Sequence, residues 1–300
     1  MPAVAGTKSR RKIAMSPIEA IHTAARHYCQ EQRLHWHRRY DDLNRRFYEG
    51  GDRPITAEKN AIVPRYLVLE AIKPEVERMA PDDLRSVEEA VEWLLLVGGL
   101  AQSTSTSSQT YREETAILAM REERANFARF VLAFAAQPRE VEPLPYCRTL
   151  SRGESNTLWS AVNARWGTTR GGYWYPISGT PPSGILVFGE YAVENELGEE
   201  RLQRILSEVG AGRVFELNDM PGEVAECEVD PIFVGELHGL AETYWTPPDL
   251  SWLLYASHDA TLAVAGERLV EAFQSAWPEY RAHLYPWPFS ESLPLAPQGG

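Results

Sequence analysis

Residues 249–266 constrain the fold more than any other stretch of the chain. They read Asp-Leu-Ser-Trp-Leu-Leu-Tyr-Ala-Ser-His-Asp-Ala-Thr-Leu-Ala-Val-Ala-Gly. Two apolar runs flank a polar tip, which is the pattern of a β-hairpin, and an amphipathic segment after Gly266 predicts a helix. Side chains alternate faces along a strand, so Trp252 and Leu254 share one face of the first run, and Leu262 and Val264 share one face of the second. A lone hairpin is at best marginally stable in water. These residues therefore predict a larger sheet, with the hairpin at the heart of a C-terminal α+β domain.

The other strand-like runs of this half are residues 173–177, 185–188, 213–217, 224–229 and 243–246. A helical pattern over 199–209 interrupts them, and another opens the half: Ser151 and Glu154 form a capping box, with Leu158, Trp159, Val162 and Trp166 turned inward. Short strands joined by tight turns predict mostly antiparallel pairing, with the helices gathered on one face of the sheet.

Before residue 138 the period is helical throughout. Ser16, Pro17 and Glu19 are the N-cap, first-turn proline and capping-box acid of a long helix that ends at Gly50-Gly51. Three more helices are expected: one over 64–79, broken or kinked at Pro74; one capped by Asp82 or Asp83 and running to about residue 102; and one over 111–137. Four amphipathic helices predict an irregular helical bundle. The expected organisation is a flexible basic tail (1–15), a helical domain (16–137), a Pro-rich linker (138–148), an α+β domain (149–277) and a Pro- and aromatic-rich tail (278–300).

Composition narrows the function classes. Nine Trp and thirteen Tyr argue against a disordered chain. The longest uncharged apolar run spans residues 93–101, far below the roughly 18–20 residues that cross a bilayer, so no membrane contact is expected. Three widely spaced cysteines and no apolar leader predict a cytoplasmic protein without disulfides. Residues 1–48 hold ten Lys/Arg against four Asp/Glu, whereas the whole chain has a net charge of −12. That asymmetry raises the prospect of a basic nucleic-acid arm, carried by the tail and by Arg33, Arg38 and Arg39. An acidic remainder would repel a polyanion, so nucleic acid is the less favoured partner.

Few motifs carry chemistry. Ser257-His258-Asp259 has the residue types of a hydrolytic triad, but neighbours on an extended chain point to opposite faces, and a triad needs its groups in series. The three residues read first as turn residues; they are weak catalytic candidates, with Asp259 or Glu190 as partners for His258. Glu19 and His22 have the spacing of one half of a di-metal carboxylate site. No second copy exists and Glu19 is used by the capping box, so neither a metal nor a cofactor is expected and His22 reads as a surface or boundary histidine. The aromatic runs are more suggestive. Tyr173, Trp174 and Tyr175 in one strand and Tyr244 and Trp245 in another put rings on both faces, and exposed Tyr and Trp are interface residues; a sheet sandwiched by helices on both faces would bury them instead.

The first expectation is therefore a non-enzymatic intracellular protein that binds another protein through Tyr173, Trp174, Tyr175, Tyr244, Trp245 and His258. The stretch Trp-Leu-Leu-Tyr-Ala-Ser-His-Asp at 252–259 loosely resembles strand pairs of small bacterial immunity-type proteins, over less than a tenth of the chain. The resemblance implies a toxin-neutralising or defence-associated setting. An enzyme using His258 and a nucleic-acid binder using the N-terminal arm are the alternatives.

Overall fold

The computed structural model describes residues 15–50, 56–102, 113–168, 170, 174, 184–210, 212–219, 225–234 and 242–285. The chain divides into two compact units, Met1–Leu144 and Pro145–Gly300.

The first unit is helical: α1 (Pro17–Gly50), α2 (Thr56–Glu77), α3 (Val87–Leu100) and α4 (Glu114–Ala136). The Ser16–Glu19 capping box is formed, with Glu19 Oε2 accepting the Ser16 N–H at 2.6 Å and Ser16 Oγ accepting the Glu19 N–H at 3.2 Å. Ile21, Ala25 and Cys29 recur at helical spacing and meet Val68, Ile72, Leu94, Phe127 and Val131 in one core. Burying each large apolar side chain stabilises the unit by about 1.5–3 kcal/mol.

Three expectations for this unit change. Helix α2 starts at Thr56 and carries both Pro64 and Pro74 inside it. An interior proline costs about 3 kcal/mol, but Ile62, Val63, Val68 and Leu69 are fully buried around Pro64, and that packing outweighs the lost hydrogen bond. Helix α3 is capped by Ser86, which accepts the Glu89 N–H, whereas Asp82 and Asp83 sit in a separate 3-10 turn, Pro81–Asp83. His22 is buried, with Nε2 3.0 Å from the Val76 carbonyl. Past α4, Val141 lies against the helical core and His27 Nε2 is 2.8 Å from the Glu142 carbonyl.

The second unit is built on a seven-stranded sheet: β1 (Cys147–Thr149), β2 (Ile185–Gly189), β3 (Val214–Asn218), β4 (Cys227–Val229), β5 (Thr243–Thr246), β6 (Leu253–Ser257) and β7 (Thr261–Ala265). The order is β1-β4-β3-β5-β6-β7-β2 and every pairing is antiparallel. Its helices are α5 (Arg152–Trp166), the single turn α6 (Glu190–Ala192), α7 (Glu199–Glu208) and α8 (Glu267–Ala276). The protein is thus α+β, an N-terminal helical bundle followed by an antiparallel α+β unit.

Helices cover both faces of this sheet, not one. Trp252, Leu254, Leu262 and Val264 pack with Leu202 and Ile205 of α7 and Leu269 and Phe273 of α8. The alternate residues Leu253, Tyr255, Ala263 and Ala265 pack with Trp159 and Val162 of α5. All ten residues of β6 and β7 are buried. Strands covered on both sides read as continuous apolar runs, which these two do. The run anticipated at 173–177 falls outside the described residues except for Trp174.

Candidate functional site

The hairpin tip is a three-residue turn. Ser257 pairs with Thr261 across the ladder, and His258, Asp259 and Ala260 connect them. The Ala260 N–H donates to the Ser257 carbonyl at 3.1 Å, and Ala260 adopts φ 55°. A turn followed by one left-handed residue is a common three-residue hairpin loop. Ala occupies the left-handed position where Gly or Asn is less strained.

Ser257 does not serve His258. Its buried hydroxyl lies 2.8 Å from Thr261 Oγ1 and accepts the Asp259 N–H at 3.2 Å. The three consecutive residues therefore form a turn network and not a triad.

The imidazole has a different partner. Glu242, immediately before β5, hydrogen-bonds His258 Nδ1 through Oε1 and accepts the His258 backbone N–H on the same oxygen at 3.3 Å. Its other oxygen accepts the hydroxyl of buried Tyr255. Glu242 is 4% exposed and adopts φ 52°, an unusual backbone state for a residue with a side chain. The far ring nitrogen, Nε2, is 3.5 Å from Asp259 Oδ1, and the imidazole is 45% exposed. The bond to Glu242 holds the His258 pKa above its ordinary value, and the charges of Glu242 and Asp259 act in the same direction. Glu190 also reaches the tip, through its backbone: its N–H donates to the Ala260 carbonyl at 2.8 Å.

Beneath the tip lies an aromatic stack. Tyr255 stacks on Tyr244 with ring centroids 4.4 Å apart, and Trp174 meets Tyr255 edge-on at 5.9 Å. The Trp174 N–H donates to the Tyr244 hydroxyl at 3.1 Å. Trp245 points to the opposite face, where its indole N–H donates to Glu216 at 2.9 Å. Trp174, Tyr244 and Trp245 are all buried. They are the core that supports the tip, not the exposed surface expected of them, because each face of the sheet has its own helical cover. Tyr173 and Tyr175 lie outside the described residues.

The basic residues of α1 are largely answered by acids. Arg33 lies 3.4 Å from Glu70, Arg45 2.7 Å from Asp42 and Arg46 2.6 Å from Glu58. Arg39 lies over the Trp36 ring at 5.1 Å, and Arg38 is exposed. Residues 1–14 of the basic tail lie outside the described residues. Glu19 is engaged in its cap and His22 in the core, and among the described residues no group of three or more His, Cys, Asp and Glu is placed to hold a metal ion. No helix among them is long and apolar enough to cross a membrane.

Charge divides unequally between the two units. Met1–Leu144 has twenty-one Lys/Arg and twenty-one Asp/Glu; Pro145–Gly300 has nine Arg, no Lys and twenty-one Asp/Glu. The second unit carries the whole net charge of −12.

No family model, curated protein or solved structure matches this chain.

Proposed function

We propose that this chain is a non-enzymatic, cytoplasmic protein-binding protein, with the α+β unit recognising a partner of basic surface and the hairpin tip as a contact point. The observation that carries this reading is the concentration of all net negative charge in one unit, which presents an imidazole held between Glu242 and Asp259. A field of one sign steers an oppositely charged partner and raises its association rate. Trp174, Tyr244 and Trp245, three of the rings expected to supply the contact, are core residues, so among the described residues recognition falls to the charged surface and the tip. A toxin-neutralising or defence-associated setting suits an acidic module that meets a basic protein.

The test is cross-linking of the full chain in its native cells, followed by association kinetics with the captured protein. The association rate should fall at least about tenfold between 50 and 300 mM salt, and His258→Ala should speed dissociation. A partner whose association is insensitive to salt would sink the electrostatic reading.

A second reading rests on the Glu242–His258 pair. A buried carboxylate on one ring nitrogen of a half-exposed imidazole, with Asp259 3.5 Å from the other, resembles the arrangement of a general base. A survey of ester, amide and phosphoester hydrolysis decides this: turnover by the wild type that His258→Ala abolishes establishes an enzyme.

A further inference from the structure

At the opposite end of β6 from His258 lies a groove of about 460 Å³. Its walls come from three separate connections: the α7–β3 link at Gly210 and Gly212, the β5–β6 link from Pro247 to Trp252, and the first turn of α8 at Arg268. Two observations set it apart from a surface irregularity.

The first is its charge. The second unit has only nine cationic side chains against twenty-one acidic ones, yet Arg213 and Arg268 both line this one groove. Arg148 is engaged by Glu154 and Glu228, and Arg170 by Glu226. Arg213 is held by its stacking on Tyr146, at 3.4 Å from the ring centroid, with Glu228 3.9 Å away. Arg268 is exposed. Asp249 contributes a single carboxylate to the wall, with Oδ1 accepting the Ser251 N–H at 3.1 Å.

The second is its rigidity. Leu250 adopts φ 53°, a true outlier for a bulky residue. Its partly buried side chain packs against the core that includes Trp159 and Val162 of α5, while its neighbours Asp249 and Ser251 line the groove. Gly266, at φ +103°, brings the start of α8 so close that a Cβ there would lie 2.6 Å from the Ser251 carbonyl oxygen and 2.7 Å from Trp252 Cα. This contact seats the backbone at the start of α8 on Ser251 and Trp252. Gly210 turns at φ +79° on the opposite wall. Observed backbone strain at a concave site is a recognised mark of a preorganised binding site.

We infer that this groove is a binding site for a small organic anion, with Arg213 and Arg268 holding a phosphate or carboxylate and the exposed Pro248 ring against its apolar body. Guanidinium groups bind both anion types through paired N–H donors. The volume lies within the range of small-molecule pockets. The Asp249 carboxylate provides an acceptor for a hydroxyl or amine on the same ligand. The site is distinct from the hairpin tip and does not depend on the partner-binding reading.

The experiment is calorimetric titration of the full chain with phenyl phosphate, benzoate and inorganic phosphate. Saturable binding of phenyl phosphate or benzoate is expected, with the tighter of the two identifying the anionic group. Inorganic phosphate, lacking the apolar body, should bind several-fold more weakly. Arg268→Ala removes an exposed side chain, and its fold is verified by circular dichroism; it should weaken binding at least about tenfold, the worth of one charge-assisted hydrogen bond. Absence of saturable binding by either aromatic anion, or binding that Arg268→Ala leaves unchanged, overturns the assignment.

Discussion

Glu242 and His258 stand sixteen residues apart in sequence, yet one oxygen of the buried Glu242 carboxylate receives both the ring Nδ1 and the backbone N–H of His258. The consequence is directly measurable. The pairing raises the His258 pKa above the ordinary histidine value of 6.5. The stabilising contribution of the charged imidazole is therefore fully present below that value, and it is lost as the pH rises through the higher folded value. An NMR titration of the His258 ring should give a midpoint above the ordinary histidine range, and Glu242→Gln should lower it. A wild-type midpoint at or below the ordinary value would show that the pair does not form in solution.

The same contact sets the cost of removing the imidazole. An exposed tip residue by itself predicts a change within about 0.5 kcal/mol. His258→Ala also leaves a buried carboxylate with one partner fewer, so the expected loss is about 1–2 kcal/mol. Trp252, 2% exposed and part of the core shared with α7 and α8, is a different case: Trp252→Ala should cost about 3–5 kcal/mol and impair soluble expression. Urea denaturation of the two variants should separate scaffold from tip. Equal losses would place His258 among the structural residues and remove it from both functional readings.

What the sequence makes legible follows the range of the interactions involved. Caps act over three residues, and both capping boxes, at Ser16 and Ser151, stand where the local pattern puts them. The strand at Thr243–Thr246 and the α+β class are equally plain, because periodicity is local. Glu242 is invisible to such reasoning. Its role depends on the register that sets Thr243 opposite Ala256, and no local signal encodes that pairing. The double helical cover was written in the continuous apolar runs of β6 and β7, and it explains why Tyr244 and Trp245 are buried. The start of α2 is hidden by Pro64, whose local preference as a first-turn residue is overridden by tertiary packing.

Gly266 offers a sharp test of the groove's construction. Alanine there meets the Ser251 carbonyl oxygen at 2.6 Å and forces a non-glycine residue to φ +103°. Backbone strain of about 1–3 kcal/mol adds to an overpacking cost of similar size. Gly266→Ala should therefore lower stability by roughly 2–5 kcal/mol, measured by the urea midpoint. Gly99→Ala, where the added methyl meets nothing within 4 Å in the last turn of α3, is the control and should be neutral or stabilising. A Gly266→Ala variant as stable as the wild type would mean that α8 does not seat on the Ser251–Trp252 turn.

His22 makes the helical unit sensitive to acid. Burial depresses its pKa from 6.5 to about 4, against the opposing pull of the Val76 carbonyl. The folded unit thus keeps the ring neutral at pH values where the unfolded chain already binds a proton. Between these two values the unfolded state holds more protons, so stability falls as the pH falls, and the loss saturates below about 4. The whole effect amounts to about 3 kcal/mol, at 1.36 kcal/mol per pKa unit. His22→Gln retains an N–H donor for the Val76 carbonyl but does not titrate. Urea unfolding of both proteins at pH 7 and pH 5, followed by helical circular dichroism, should show the wild type losing about 2 kcal/mol more than the variant on acidification. Equal losses in the two proteins would mean that His22 is open to solvent.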